Sequence, residues 1–175
     1  MSEHQLDDEL SMMYQEDNTP KVLDASAFAK PIKHIKSHKP ISMSPEHTVE
    51  KAIHQMNERR VGCVLVTENK KLVGIFTERD VLKRVAGKPE TLKKTLREMM
   101  TPKVEGLQAE DSIAFVLNSM HVGGYRHVPI MDEHGLPSAV ISVKDIVGYI
   151  IEHFTDEIVN LPPSPMRTTT EREGA

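Results

Sequence analysis

Two hydrophobic patterns alternate along residues 41 to 151, and the whole alternation occurs twice. Val61-Gly62-Cys63-Val64-Leu65-Val66-Thr67 is a continuous apolar run, the pattern of a strand buried on both faces. A polar hairpin turn from Glu68 to Lys71 separates it from a second apolar, partly β-branched strand ending at Phe76. Helical spacing flanks this pair. Behind Thr48, a capping residue, stand Val49, Ala52, Ile53 and Met56; behind Thr77 stand Val81, Leu82, Val85 and Ala86. With the extended piece Ile41 to Met43 and the turn Ser44-Pro45-Glu46-His47, the predicted order is short strand, helix, strand, strand, helix.

The second copy runs in the same order. Val104-Glu105-Gly106-Leu107 is its extended piece, and Asp111-Ser112 opens a helix carrying Ile113, Val116, Leu117 and Met120. Tyr125 to Met131 is its first long strand, and Asp132-Glu133-His134-Gly135 its turn. Its last helix carries Ile146, Val147, Ile150, Ile151 and Phe154. The copies align at an offset of 64 that becomes 65 after an extra glycine at Gly123-Gly124, so that Arg60 to Val66 match Tyr125 to Met131. An internal repeat on this scale fixes the architecture before other considerations.

The most informative stretch is the corner where the last strand of each copy enters its helix. Gly74-Ile75-Phe76-Thr77-Glu78-Arg79-Asp80 returns 65 residues later as Ala139-Val140-Ile141-Ser142-Val143-Lys144-Asp145. Hydroxyl, cation and carboxylate thus meet twice at a helix start, where free N–H groups and the helix dipole favour anions. Thr77-x-x-Asp80 and Ser142-x-x-Asp145 equally fit a helix capping box, which needs no ligand. The two roles are compatible.

Composition narrows the class. The 175 residues suffice for one ordinary domain or two small ones. With 38% hydrophobic and 27% charged residues this is the balance of a soluble globular protein, and a net charge of −4 gives no argument for nucleic acid. Aromatics at 4% beside 10 methionines make the core aliphatic, and Met56, Met99, Met100, Met120 and Met131 read as core or cleft lining. No apolar run is long enough to cross a membrane. The polar, acidic stretch Met1 to Leu10 does not read as a secretory signal, so an intracellular, cytoplasmic protein is expected. The single cysteine, Cys63, precludes a disulfide within the chain and reads as a packed core thiol.

Residues 1–31 read as a tail, partly disordered, with part of it able to dock as a helix. Residues 156–175 read as a disordered tail. Between them lie repeat 1 (32–88), a linker (89–97) and repeat 2 (98–155). Lys30 to Lys39 reads as a solvated basic lead-in; His34 and His38 are spaced for one helix face, but no third or fourth metal ligand accompanies them, so no metal site is expected. Lys93, Lys94 and Arg97 read as a solvated linker face. No Walker A loop, nucleophile elbow or H-E-x-x-H motif is present, so no catalytic residue is assigned and no enzyme is expected.

Together these motifs resemble a tandem pair of CBS domains, the arrangement called a Bateman module. The carrying residues are Pro45-x-x-Thr48-Val49, Gly74 to Asp80, Met99-Met100-Thr101-Pro102, Arg126-His127-Val128-Pro129-Ile130 and Ser142-Val143-Lys144-Asp145. The resemblance implies a mixed α/β (α+β) fold of two pseudo-symmetric βαββα units packed through their sheets, with two clefts. It implies an adenosine-containing ligand (AMP, ADP, ATP, NAD(H) or S-adenosylmethionine), no required cofactor, and a homodimer. By the same resemblance Asp80 and Asp145 take ribose hydroxyls, Thr77 and Ser142 contact ribose or phosphate, and Arg79 and Lys144 meet phosphate. Arg126 and His127 stand at the cleft mouth, and the backbone of Gly62, Cys63 and Val64 and of Val128, Pro129 and Ile130 bounds the adenine. His127 by its own position reads as a polar strand-end residue, not a catalytic base. Ala139, where a glycine is usual, and Pro137 depart from the pattern, so the clefts are expected to differ in affinity. The chain is thus expected to be a non-enzymatic metabolite sensor. The alternative is a ligand-free interaction module that dimerises and recruits a protein partner.

Overall fold

Two small sheets form in the computed structural model, which describes residues 25–153. In the first, β1 (Ser42–Met43) lies parallel to β2 (Cys63–Glu68); β2 pairs antiparallel with β3 (Lys71–Thr77), and β3 with β4 (Thr101–Pro102). In the second, β5 (Leu107–Gln108) lies parallel to β6 (His127–Met131), which pairs antiparallel with β7 (Pro137–Ser142). The helices are α1 (Ala25–Ala29), α2 (Val49–Arg59), α3 (Glu78–Asp80, passing into a π turn over Val81–Val85), α4 (Leu96–Met99), α5 (Ile113–Val122) and α6 (Val143–His153).

Local chemistry sets these elements. The Thr48 hydroxyl accepts from the Lys51 N–H at 3.3 Å and starts α2, which buries Val49, Ala52 and Met56. Residues Cys63 to Val66 of β2 are all buried, as their unbroken apolar run requires. Asn69 and Lys70 both take positive φ, giving the tight turn whose twist suits a hairpin. Each repeat closes its own core: Val49, Val64, Phe76 and Leu96 in the first, Ile113, Val116, Ile130 and Ile141 in the second. A third cluster joins Cys63, Leu65 and Ile75 of one sheet to Val140 of the other, so the repeats do pack through their sheets.

The register corrects the repeat alignment. Cys63 stands opposite Thr77 and Val66 opposite Gly74; His127 stands opposite Ser142 and Ile130 opposite Ala139. The counterpart of His127 is therefore Cys63, and Arg126 corresponds to Gly62. The extra residue lies in the hairpin after β6, not at Gly123-Gly124. A hairpin tip absorbs an extra residue without disturbing the pairing of its strands.

Several segments read as solvated are packed. The lead-in runs along the second repeat: Ile32 and Ile35 enter its core, and the His38 backbone exchanges hydrogen bonds with Val140 (3.0 and 3.4 Å). It is to β7 what β4 is to β3. Helix α1 docks too, its Ala27 carbonyl accepting from the Tyr149 hydroxyl at 2.8 Å. In the linker Thr91 and Leu96 are buried, while Lys93, Lys94 and Arg97 are exposed as expected, the Arg97 guanidinium bridging Glu46 and Glu68 at 2.8 and 2.6 Å. Conversely, Leu82, Ala86 and Val147 face outward, and Tyr149 fills the second core. The expected disorder of residues 1–24 and 156–175, and the place of Phe154, lie outside the described residues.

Gly74 is required by its neighbours. A Cβ there would lie 2.5 Å from Met100 Sδ and 2.9 Å from the Thr101 carbonyl, so only glycine lets β4 approach β3. Ala139 pairs with Ile130, and neither it nor Gly74 lines a cleft, so the alanine gives no ground for the expected difference in affinity.

Candidate functional site: two clefts between the repeats

Two clefts open between the repeats, of about 950 and about 600 Å³. Gly62, Cys63, Ser142, Lys144 and Asp145 line the larger. Thr77, Arg79, Asp80, Val128 and Pro129 line the smaller, and Arg126 and His127 border both. Val64 lines neither; its side chain is wholly inside the first core.

Each cleft holds one carboxylate, prepared in the same way. Asp80 Oδ2 accepts from the Thr77 N–H (3.0 Å) and hydroxyl (2.7 Å); Asp145 Oδ2 accepts from the Ser142 N–H and hydroxyl, both at 2.7 Å. The capping box is thus formed in both repeats and occupies one oxygen. The other oxygen meets a cation-forming side chain from the cleft edge. Asp80 Oδ1 lies 3.5 Å from Arg84 Nε, and Asp145 Oδ1 lies 3.2 Å from His38 Nε2. Both carboxylates are nearly buried, while Arg84 and His38 are largely exposed.

The wall between the clefts is electrostatic. Arg126 Nη2 lies 3.2 Å from Glu78 Oε1, and Arg79 Nη1 donates to the Gly124 carbonyl at 2.8 Å. These bonds tie the helix start of one repeat to the strand entry of the other. Burial holds the His127 imidazolium below its ordinary pKa and Arg126 adds to this, with Glu78 and Asp145 acting against it. Burial, with Glu78 assisting, pushes the Cys63 thiol up to about 12, so Cys63 is an inert thiol, not a nucleophile.

The larger cleft also takes His38 and Lys39 from the lead-in and Arg59 and Arg60 from the end of α2. Lys83, Arg84 and Lys103 line the smaller. Sequence reasoning missed these residues. Arg59 and Arg60 read only as the polar end of a helix, and nothing local placed the lead-in beside β7. Among the described residues no group of three His, Cys, Asp or Glu side chains is placed to hold a metal, and no helix is long and apolar enough to cross a membrane.

Comparison with known proteins bears on this arrangement. The family model of the CBS domain matches residues 32–87 and 96–152. The CBS domain-containing protein CBSCBSPB3 of Arabidopsis thaliana is 34% identical over 105 residues, 59% of this chain but 19% of that protein's length. An uncharacterized 17.7 kDa protein of Acidianus ambivalens is 26% identical over 129 residues, 73% of this chain and 77% of its own. Among solved structures, the CBS-domain containing protein ATU1752 of Agrobacterium tumefaciens superposes with a TM-score of 0.65 at 29% identity, over 74% of this chain and all of its own (100%). The CBS domain pair of MJ0100, solved in complex with 5-methylthioadenosine and S-adenosyl-L-methionine, gives a TM-score of 0.62 at 24% identity, over 70% of this chain and 96% of its own.

Proposed function

Because the chain belongs to the CBS-domain family and carries that domain twice in tandem, we propose that it is a regulatory module binding an adenosine-containing ligand between its repeats. The observation that supports this best is the doubled carboxylate. In each cleft a Thr or Ser box fixes Oδ2 and leaves Oδ1 with an edge partner that a ligand can displace. An ionised carboxylate only accepts hydrogen bonds, and a ribose diol offers two donors. In this reading Asp80 and Asp145 hold ribose, Thr77 and Ser142 support them, and Arg79, Lys144 and Arg126 face phosphate. His127, Gly62, Cys63, Val128 and Pro129 form the walls. The 5-methylthioadenosine and S-adenosyl-L-methionine bound to MJ0100 are of the same ligand class, though the likeness to that protein is one of fold.

The ligand acts by differential affinity. Residues of both repeats line each cleft, so a bound molecule favours one relative packing over another and alters what a partner meets. The chain performs no chemistry in this reading.

Thermal unfolding with AMP, ADP, ATP, NADH and S-adenosylmethionine in parallel tests it. A ligand at 100 times its Kd adds about 2.7 kcal/mol to the folded state. A shift with at least one ligand, reduced in Asp80→Ala or Asp145→Ala, is expected. No shift with any ligand would favour the second reading, a ligand-free module that dimerises and recruits a protein. The observation on its side is the exposure of Leu82 (73%), Phe115 (58%) and Val122 (76%) on helical segments.

A further inference from the structure

The two clefts are related by the internal repeat, so each residue of one has a counterpart in the other. At one pair of positions the counterparts are chemically opposite. Arg59 and Arg60, at the end of α2, line the larger cleft; 64 residues on, Gly123 and Gly124 end α5 and line the smaller. Arg60 and Gly124 share the same left-handed backbone, with φ of 53° and 64°. That conformation ends helices at little cost with glycine and strains any side chain bearing a Cβ. One repeat uses glycine there. The other keeps an arginine against its backbone preference, and strain of this kind concentrates where function requires it.

The cations of the two clefts differ in type. In the smaller cleft the guanidinium groups are engaged, Arg79 by the Gly124 carbonyl and Arg84 by Asp80 and the Met99 carbonyl, and the remaining cations are the ammonium groups of Lys83 and Lys103. In the larger cleft the side chains of Lys39, Arg59, Arg60 and Lys144 line the space, and none of the four makes a side-chain hydrogen bond or ion pair within the described residues. They come from the lead-in, from α2 and from α6, and so from separate walls. Facing them are Asp145, engaged by Ser142 and His38, and Glu78, paired with Arg126.

We propose that the larger cleft selects an adenosine bearing two or more phosphates, with Arg59 and Arg60 as the residues that set this preference. The proposal rests on the adenosyl reading above and decides between its ligand classes. Guanidinium groups with free donors match phosphate oxygens in pairs. The cationic sulfonium of S-adenosylmethionine finds no such match beside the Arg59 and Arg60 guanidinium groups. The smaller cleft has glycines at these positions and so lacks the two free guanidinium groups.

Isothermal titration of the full chain with ATP, ADP, AMP, adenosine and S-adenosylmethionine tests this, with Arg59→Ala and Arg60→Gly alongside. ATP and ADP are expected to bind at least tenfold more tightly than adenosine, with a preference that weakens as salt rises. Arg60→Gly is the sharper variant because it relieves the backbone. Its Tm without ligand is expected to hold or rise while its affinity for ATP falls at least tenfold and that for adenosine stays unchanged. A variant that merely damaged the fold would lose both. If AMP, adenosine or S-adenosylmethionine binds as tightly as ATP, or Arg60→Gly binds ATP normally, the proposal fails while the adenosyl reading stands. If no ligand binds the unaltered chain, both fail.

Discussion

Gly62→Ala tests the junction of the repeats with one methyl group. An ideal Cβ on Gly62 would lie 2.8 Å from His127 Nε2 and 2.9 Å from His127 Cε1, well inside ordinary contact; the next atom, Glu78 Oε2, is at an acceptable 3.4 Å. The methyl therefore collides with a single side chain, and that side chain belongs to the other repeat. Overpacking of this kind costs about 1–3 kcal/mol. Restricting the unfolded chain returns about 0.4–1 kcal/mol, because Gly62 does not require positive φ. The net loss is roughly 1 kcal/mol, or about 2–4 °C in Tm for a chain of this size. Urea unfolding of Gly62→Ala, His127→Ala and the double variant checks the cause. With His127 truncated, the collision disappears and Gly62→Ala becomes neutral or stabilising, a coupling of about 1–3 kcal/mol. An equal loss in both backgrounds would refute the packing of His127 on Gly62, and with it the repeat-to-repeat contact at the head of both clefts.

Further outcomes follow from burial and charge. Ile32, only 2% exposed, packs in the second core, so Ile32→Ala should cost about 2–5 kcal/mol in urea unfolding; a negligible loss would mean that the lead-in does not belong there. The Cys63 thiol is pushed up to about 12 from 9.0, so its contribution to stability is complete below pH 9 and lost as pH rises towards 12. Cys63→Ala should flatten that alkaline decline, and Ellman's reagent at pH 8 should label the native chain only as fast as it unfolds. For His127 the sign is opposite. Its folded pKa lies below 6.5, so the unfolded chain takes up the proton first and stability falls as pH drops through and below that value. Guanidinium titrations from pH 7.5 to 5.5 should show that slope reduced in His127→Ala.

The sequence carried the repeat, the element order and the helix-start motifs because each is a local pattern. Thr48, Thr77 and Ser142 cap where their spacing says, and the apolar run of β2 is buried throughout. What stayed hidden is long-range. Sequence alone put the extra residue at Gly123-Gly124, and only the pairing of His127 with Ser142 moved it to the later hairpin. The basic character of residues 30 to 39 masked Ile32 and Ile35, whose partners lie in the second repeat. Gly74 read only as part of the helix-start motif, yet it makes room for Met100 and the Thr101 carbonyl. The candidate site shows the same division. Asp80 and Asp145 were visible in their motifs, whereas His38, Arg59 and Arg60 reach the larger cleft from segments with no motif of their own.

On the ribosome the lead-in emerges before every side chain that will cover it. The first core draws only on residues 41 to 100 and can close as soon as they are made. Ile32 and Ile35 must wait for Ile113, Ile141 and Ile146, the last of them more than a hundred residues later. At roughly 5–20 residues per second that interval lasts on the order of 5–20 s. The nascent chain thus carries a finished first half and a loose apolar arm, and the second half closes by recapturing a segment made before the first. A second repeat expressed alone from residue 96 would lack that arm, and with it two of the side chains that fill its core.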